Sequence, residues 1–173
     1  MGLLDVKVDI VWFKRDFRLE DHAPINEVAT SNNNFLGIFV IEPSRLREDD
    51  TDPIHIDWEI QCAVELQSRI RELGGEMLIL HDEIINVFEN LRKEYYISNI
   101  YSHEEIGTEW SYKRDIQFGE WCKSRELNWR EFPTNAVVRR LNNRDNWYKL
   151  RTERLMEDVI PAPNQLKFEN KLR

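Results

Sequence analysis

Apolar and polar positions follow two periods along the chain, and each change of period marks an element. Val8-Asp9-Ile10-Val11-Trp12-Phe13 is a short β-branched and aromatic run, as expected of a strand buried on both faces, and Lys14-Arg15-Asp16 ends it with charge. A first helix is expected with Asp21 as its N-cap and Pro24 in its first turn. It runs through Ile25, Val28 and Ala29 to the polar stop Ser31-Asn32-Asn33-Asn34. Phe35–Ile41 reads as a second continuous apolar strand, closed by Glu42-Pro43. After a polar loop from Ser44 to Pro53, Ile60, Ala63, Val64, Leu66, Ile70 and Leu73 recur at helical spacing, and Gly74-Gly75 supply a C-terminal stop. Met77–Leu80 is a third strand, followed by a short helix carrying Ile84, Val87, Phe88 and Leu91, and Ile97–Tyr101 is a fourth strand. Trp110, Ile116, Phe118, Trp121 and Cys122 imply another helix with a less regular stripe, and Trp129–Phe132 a fifth strand.

Strict alternation of this kind, (βα)₄β, implies right-handed crossovers. The expected class is therefore α/β: a doubly wound, Rossmann-like, five-stranded parallel sheet flanked by helices. Residues 1–132 make up that domain, and residues 133–173 an exit segment and the start of a linker. Within the exit segment a helix is expected with Asp145 as N-cap and Trp147, Leu150, Leu155 and Val159 packing inward. Pro161-Ala162-Pro163 then begins a stiff linker, and the residues after Asn164 are expected to have no partner.

The 173 residues (20.9 kDa) suffice for one core, with about 70 % of the unfolded surface buried on folding. No apolar run approaches the roughly 18 residues of a membrane span and the N-terminus lacks a signal-peptide profile, which points to a cytoplasmic chain and no membrane partner. Cys62 and Cys122 are too few for a disulfide framework or a zinc site, and no metal site is expected. The net charge of −8 is uneven: residues 133–173 carry +4 and residues 1–132 therefore −12. An acidic body argues against binding nucleic acid directly, since phosphate neutralisation needs clustered Lys and Arg. The basic stretch Arg139–Arg154 suits either a DNA-backbone or interdomain contact or a solvated helix and linker. The second is favoured because its charges are spaced to face solvent.

In sheets of this class ligands sit beyond the carboxyl ends of the strands, which directs attention to Phe13–Asp16, Ile41–Pro43, His81-Asp82 and Ser102–Gly107. None is a Gly-rich phosphate loop, and neither a nucleophile elbow nor a zinc-protease helix motif occurs, so no catalytic residue is expected. His103-Glu104-Glu105 crowds titratable groups at a strand end; its plainer reading is a solvated loop, the other polar recognition of a ligand. For Lys14-Arg15-Asp16 the plainer reading is a salt-bridge corner that fixes the loop and caps the next helix. Arg45 and Arg47 could meet an anionic tail, though surface arginines more often only aid solubility.

Val11-Trp12-Phe13-Lys14-Arg15-Asp16-Phe17-Arg18-Leu19-Glu20-Asp21-His22 resembles the opening of the DNA photolyase/cryptochrome family, W-F-[RK]-R-D-L-R-[LVI]-x-D-N, with Phe17 and His22 as departures. Tyr101-Ser102-His103-Glu104-Glu105-Ile106-Gly107-Thr108-Glu109-Trp110 is similar to the Y-S-H-E-E-T-G-x-x-W of one branch, with Ile106 for its Thr. Val137-Val138-Arg139-Arg140-Leu141, Asn143-Arg144-Asp145 and Trp147 look like the same branch's exit from the α/β domain, so the likeness covers residues 8 to about 163.

The resemblance implies an N-terminal α/β domain that often holds an antenna chromophore: a folate, deazaflavin, lumazine or flavin. The chromophore passes excitation to FAD in a helical domain, which performs light-driven repair of pyrimidine dimers. That domain would be the partner of this chain and its only route to DNA; by itself the chain should lack the lyase activity. A flat heteroaromatic ring needs a cleft with apolar walls and a few orienting polar groups, for which Phe13, Lys14, Arg15, Asp16, Ile41, His103, Glu104 and Glu105 are the candidates. The six tryptophans are expected in the core rather than in the family's electron relay. A face exposed by lack of the partner domain could lead to self-association. The alternative is a stand-alone nucleotide-binding or protein-interaction regulator of the universal-stress type.

Overall fold

The computed structural model describes residues 6–31, 33–139, 141 and 143–169. Asn32 of the expected polar stop and Arg140, Lys171 and Arg173 of the basic tail lie outside the described residues. Five parallel strands, β1 (Lys7–Phe13), β2 (Asn34–Ile41), β3 (Glu76–His81), β4 (Tyr96–His103) and β5 (Trp129–Phe132), form one sheet in the order β3-β2-β1-β4-β5. The helices are α1 (Ala23–Ala29), α2 (Pro53–Glu72), α3 (Ile84–Glu94), α4 (Glu109–Ser124) and α5 (Trp147–Leu155). The doubly wound α/β architecture is the expected one, and among the described residues no helix is long and apolar enough to cross a membrane.

Because side chains alternate along a strand, β1 serves two cores. Val8, Ile10 and Trp12 pack with Phe88 of α3 and Phe118 of α4. Val11 and Phe13 pack on the opposite face with Ile25 and Val28 of α1 and Leu66 and Ile70 of α2. Gly37 of β2 lets Phe13 cross that face, since a Cβ there would stand 3.0 Å from the Phe13 ring.

Four expectations are corrected. First, β4 continues beyond Tyr101 to His103, which pairs with Phe132 of β5 and so sits inside the sheet's edge. Second, α1 is capped by His22, whose Nδ1 accepts from the Ile25 N–H at 3.3 Å, and not by Asp21. Asp21 takes a left-handed φ of 49° and donates its N–H to the Ile160 carbonyl at 2.7 Å, which delays helix entry by one residue.

Third, α5 begins after Asn146 and buries no residue, leaving Trp147, Leu155 and Val159 exposed. Helices α1–α4 already cover both faces of the sheet, and α5 contributes no residue to either core. Fourth, Leu166 to Glu169 are held, and residues 170–173 lie outside the described residues. The Leu166 N–H donates to the Leu73 carbonyl at 2.7 Å, and the Phe35 N–H donates to the Lys167 carbonyl at 2.6 Å. Leu166 itself is buried and Phe168 packs on the first core. The end of α2 and the start of β2 offer unpaired backbone groups there, and the segment satisfies them.

Candidate functional site

Connections from β1 run outward through β2 to β3, whereas those from β4 run the other way to β5. The strand order therefore reverses between β1 and β4, and a crevice opens above their carboxyl ends. β1 delivers Lys14, Arg15 and Asp16 to that crevice, and β4 delivers His103, Glu104 and Glu105.

Asp16 is the buried centre of one group. Its Oδ1 accepts from the Lys14 N–H at 2.8 Å, and its Oδ2 lies 2.6 Å from His103 Nδ1 and 3.0 Å from His22 Nε2. Burial alone would raise this carboxyl's pKa. The His103 hydrogen bond and the close His22 ring outweigh it and hold the group well below the usual carboxylate range. Burial pushes His22 in the same downward direction, toward the neutral ring, against the pull of Asp16.

Arg114 of α4 is the centre of a second group. Its guanidinium stacks between Trp12 (4.7 Å) and Trp110 (4.9 Å) and pairs with Glu105 at 2.5 Å, Asp115 at 2.8 Å and Glu42 at 3.3 Å. Burial works against ionisation of Glu105, yet the Arg114 charge and the bond from Arg15 hold it at about 2. Burial dominates at Glu42 and raises it to about 7, in spite of Arg114. Lys14 Nζ reaches Asp115 at 3.0 Å and Glu131 at 3.6 Å, and lies over the Trp12 ring.

Two recesses flank Arg15. The larger, about 400 Å³, lies between the loop after β1, the start of α2 and the start of α4, with Phe17, Trp58 and Trp110 as aromatic walls and Arg15 and Arg45 at its rim. Glu59 holds Arg45 in place through two 2.7 Å bonds. The smaller, about 210 Å³, is lined by Lys14, Asp16, Arg18, His103, Glu104 and Thr134 among others. A planar ring fits the chemistry of the first; polar or charged groups fit the second.

The family model for DNA photolyase matches residues 9–151. This chain belongs to the DNA photolyase family. It is 24 % identical over 97 residues to a deoxyribodipyrimidine photo-lyase of Synechococcus sp., covering 56 % of this chain and 20 % of that protein. It is 22 % identical over 120 residues to a cryptochrome DASH of Gloeobacter violaceus, covering 66 % and 24 %. The chain thus spans about a fifth to a quarter of the length of these curated relatives. A crystal structure of a class III photolyase from Agrobacterium tumefaciens shares its fold with a TM-score of 0.75 at 16 % identity, over 96 % of this chain and 36 % of that one. An archaeal photolyase from Sulfolobus tokodaii, described with two FAD molecules, aligns with a TM-score of 0.70 at 19 % identity, over 94 % and 38 %. Membership of the photolyase family leaves the universal-stress-type alternative without support.

Within this photolyase-family domain the expected site residues separate. Lys14, Asp16, His103, Glu104 and Glu105 line the smaller recess and Arg15 lines both. Phe13 and Ile41 line neither; Phe13 is fully buried because it faces the second core, away from the strand end. The Lys14–Asp16 corner is a set of salt bridges, as the plainer reading had it, but the partners come from α4, β5, the end of β4, the loop after it and His22, and it is His22 that caps α1. His103-Glu104-Glu105 is not a solvated loop. His103 is buried, Glu105 is clamped by Arg15 and Arg114, and Glu104 receives Arg154 at 3.3 Å. Arg45 is more than a solubilising charge, since Glu59 fixes it at the recess.

Sequence reasoning missed Phe17, Trp58, Trp110, Arg114 and His22. Trp58 is exposed rather than in the core, and it sits on the outer face of α2 while the Ala63, Leu66 and Ile70 stripe faces inward. That offset is legible in the helical spacing, as is Trp110 at the very start of α4.

Proposed function

We propose that this chain is the antenna-chromophore domain of a photolyase- or cryptochrome-type flavoprotein. The carrying observation is the 400 Å³ recess at the carboxyl edge of the sheet, with three aromatic walls and two fixed arginines at its rim. Its volume falls in the range of small-molecule sites, and a flat heteroaromatic pigment would gain ring contacts from Trp58, Trp110 and Phe17. Arg15 and Arg45 suit an anionic tail or carbonyl oxygens, which folate, deazaflavin, lumazine and flavin all offer. The pigment's role is to pass excitation to FAD in a helical domain, and repair of DNA belongs to that domain. The acidic body is consistent with DNA being reached only through it.

The test is absorption and fluorescence of the purified, dark-kept chain, before and after addition of each candidate pigment. A shifted or quenched chromophore, with loss on Trp58→Ala, supports the reading. A spectrum of tryptophan alone, unchanged by every candidate, overturns it for this chain on its own.

A further inference from the structure

Three side chains that are distant in sequence meet beside the smaller recess, which two of them, Asp16 and His103, line. Asp16 follows β1, His22 caps α1 and His103 ends β4, and one ligand atom from each lies within 4.8 Å of the others. Their side chains are 9 %, 0 % and 4 % exposed. Two features are left unexplained by a hydrogen-bonded cluster alone. His22 Nε2 is fully buried and, although 3.0 Å from Asp16 Oδ2, makes no well-directed hydrogen bond. His22 is also an unusual N-cap, because Asn, Asp, Ser and Thr fill that position best, and its bond to the Ile25 N–H is long at 3.3 Å. An asparagine would cap α1 better and leave the cluster one nitrogen short, so the residue at this position serves the cluster more than the helix.

We propose that Asp16, His22 and His103 form a mononuclear site for a divalent transition-metal ion of the Zn²⁺/Co²⁺ class, with its open position toward the recess that Glu104 and Thr134 line. Two imidazoles and one carboxylate are the donor set that such ions take, whereas Ca²⁺ and Mg²⁺ require more oxygens. Bonds of about 2.0–2.1 Å in tetrahedral geometry place ligand atoms about 3.3 Å apart. The pairs at 2.6 Å and 3.0 Å therefore open by only a fraction of an ångström. To ligate, each ring must carry its proton on the nitrogen away from the ion, and His22 gives up its long cap bond in doing so. The Lys14 N–H on Asp16 Oδ1 orients the carboxylate from outside, as hydrogen-bond donors behind metal ligands do.

Neighbouring cations are already engaged. Lys14 pairs with Asp115 and Glu131, Arg15 with Glu105, and Arg18 donates to the carbonyls of Glu20 and Asp21. The site is independent of the pigment reading; either can fail while the other stands.

Cobalt(II) chloride titrated into the chelator-stripped 173-residue chain tests the site. One equivalent should produce the visible ligand-field bands of a four-coordinate ion, and zinc chloride should bleach them. His22→Asn keeps a helix cap and should weaken cobalt binding at least tenfold, and His103→Asn should do the same. A His55→Asn/His81→Asn double variant, which removes the other two histidines, should bind as the parent does. Absence of the bands in the parent overturns the proposal, as does parent-like binding by both His22→Asn and His103→Asn, or loss of binding in the double variant. Should one single variant fail to fold, as judged by circular dichroism, the other decides.

Discussion

The Arg114 guanidinium stands 3.3 Å from the Glu42 carboxylate, and that carboxyl nevertheless has its pKa raised to about 7. Burial at the end of β2 costs the ionised form more than one shared arginine returns, because Arg114 is already committed to Glu105 and Asp115. Folded Glu42 holds a proton that the unfolded chain releases near its ordinary value. Its contribution to stability is therefore full below about pH 4.5 and is lost as pH rises toward 7.

Replacing Glu42 by Gln should remove that loss. We expect the variant to be more stable than the parent at pH 8 by about 1–3 kcal/mol, with the difference gone near pH 4. Urea unfolding at the two pH values measures this; equal midpoints at pH 8 would show that Glu42 is stably ionised in the fold.

Glu105 has the opposite sign. Held at about 2 by Arg114 and Arg15, it contributes stability that is present above about pH 4.5 and lost as pH falls toward 2. Glu105→Gln should cost about 2–3 kcal/mol at pH 7, where it leaves Arg114 short of a partner, and much less at pH 3. A penalty independent of pH would place the effect in packing and not in charge.

Trp58 is two-thirds exposed and lines the larger recess. Trp58→Ala should leave the melting temperature within a degree or two and weaken pigment binding about tenfold or more. Fluorescence titration of the variant with the best-binding candidate pigment is the measurement, and an unchanged dissociation constant would move the pigment elsewhere.

Leu166 tests the returning C-terminal segment. Its side chain is 3 % exposed in the second core, and its carbonyl would stand 2.8 Å from a Cβ placed on Gly74, whose φ is +90°. Leu166→Ala should cost about 2–4 kcal/mol, and Gly74→Ala about 1 kcal/mol or more through strain and collision. A denaturation midpoint unmoved by Leu166→Ala would mean that the segment does not seal the core in solution.

Period-2 and period-3.6 patterns suffice to read five strands, α1–α4 and the doubly wound order, because burying one face is a local demand that each segment must meet by itself. The charged strand ends and the family motifs likewise mark Lys14–Asp16 and His103–Glu105 in the sequence alone. Partner choice is not local. Lys14 meets Asp115 across 101 positions and Asp16 meets His103 across 87, and no spacing rule spans such a gap. The cap at His22 depends on a backbone bond from Asp21 to Ile160, and the burial of Leu166 on unpaired groups left by α2 and β2. The chain's own pattern determined which faces must be buried; the tertiary structure decided which charges would share that burial, because desolvation makes an ionised group depend on whatever lies within a few ångströms of it.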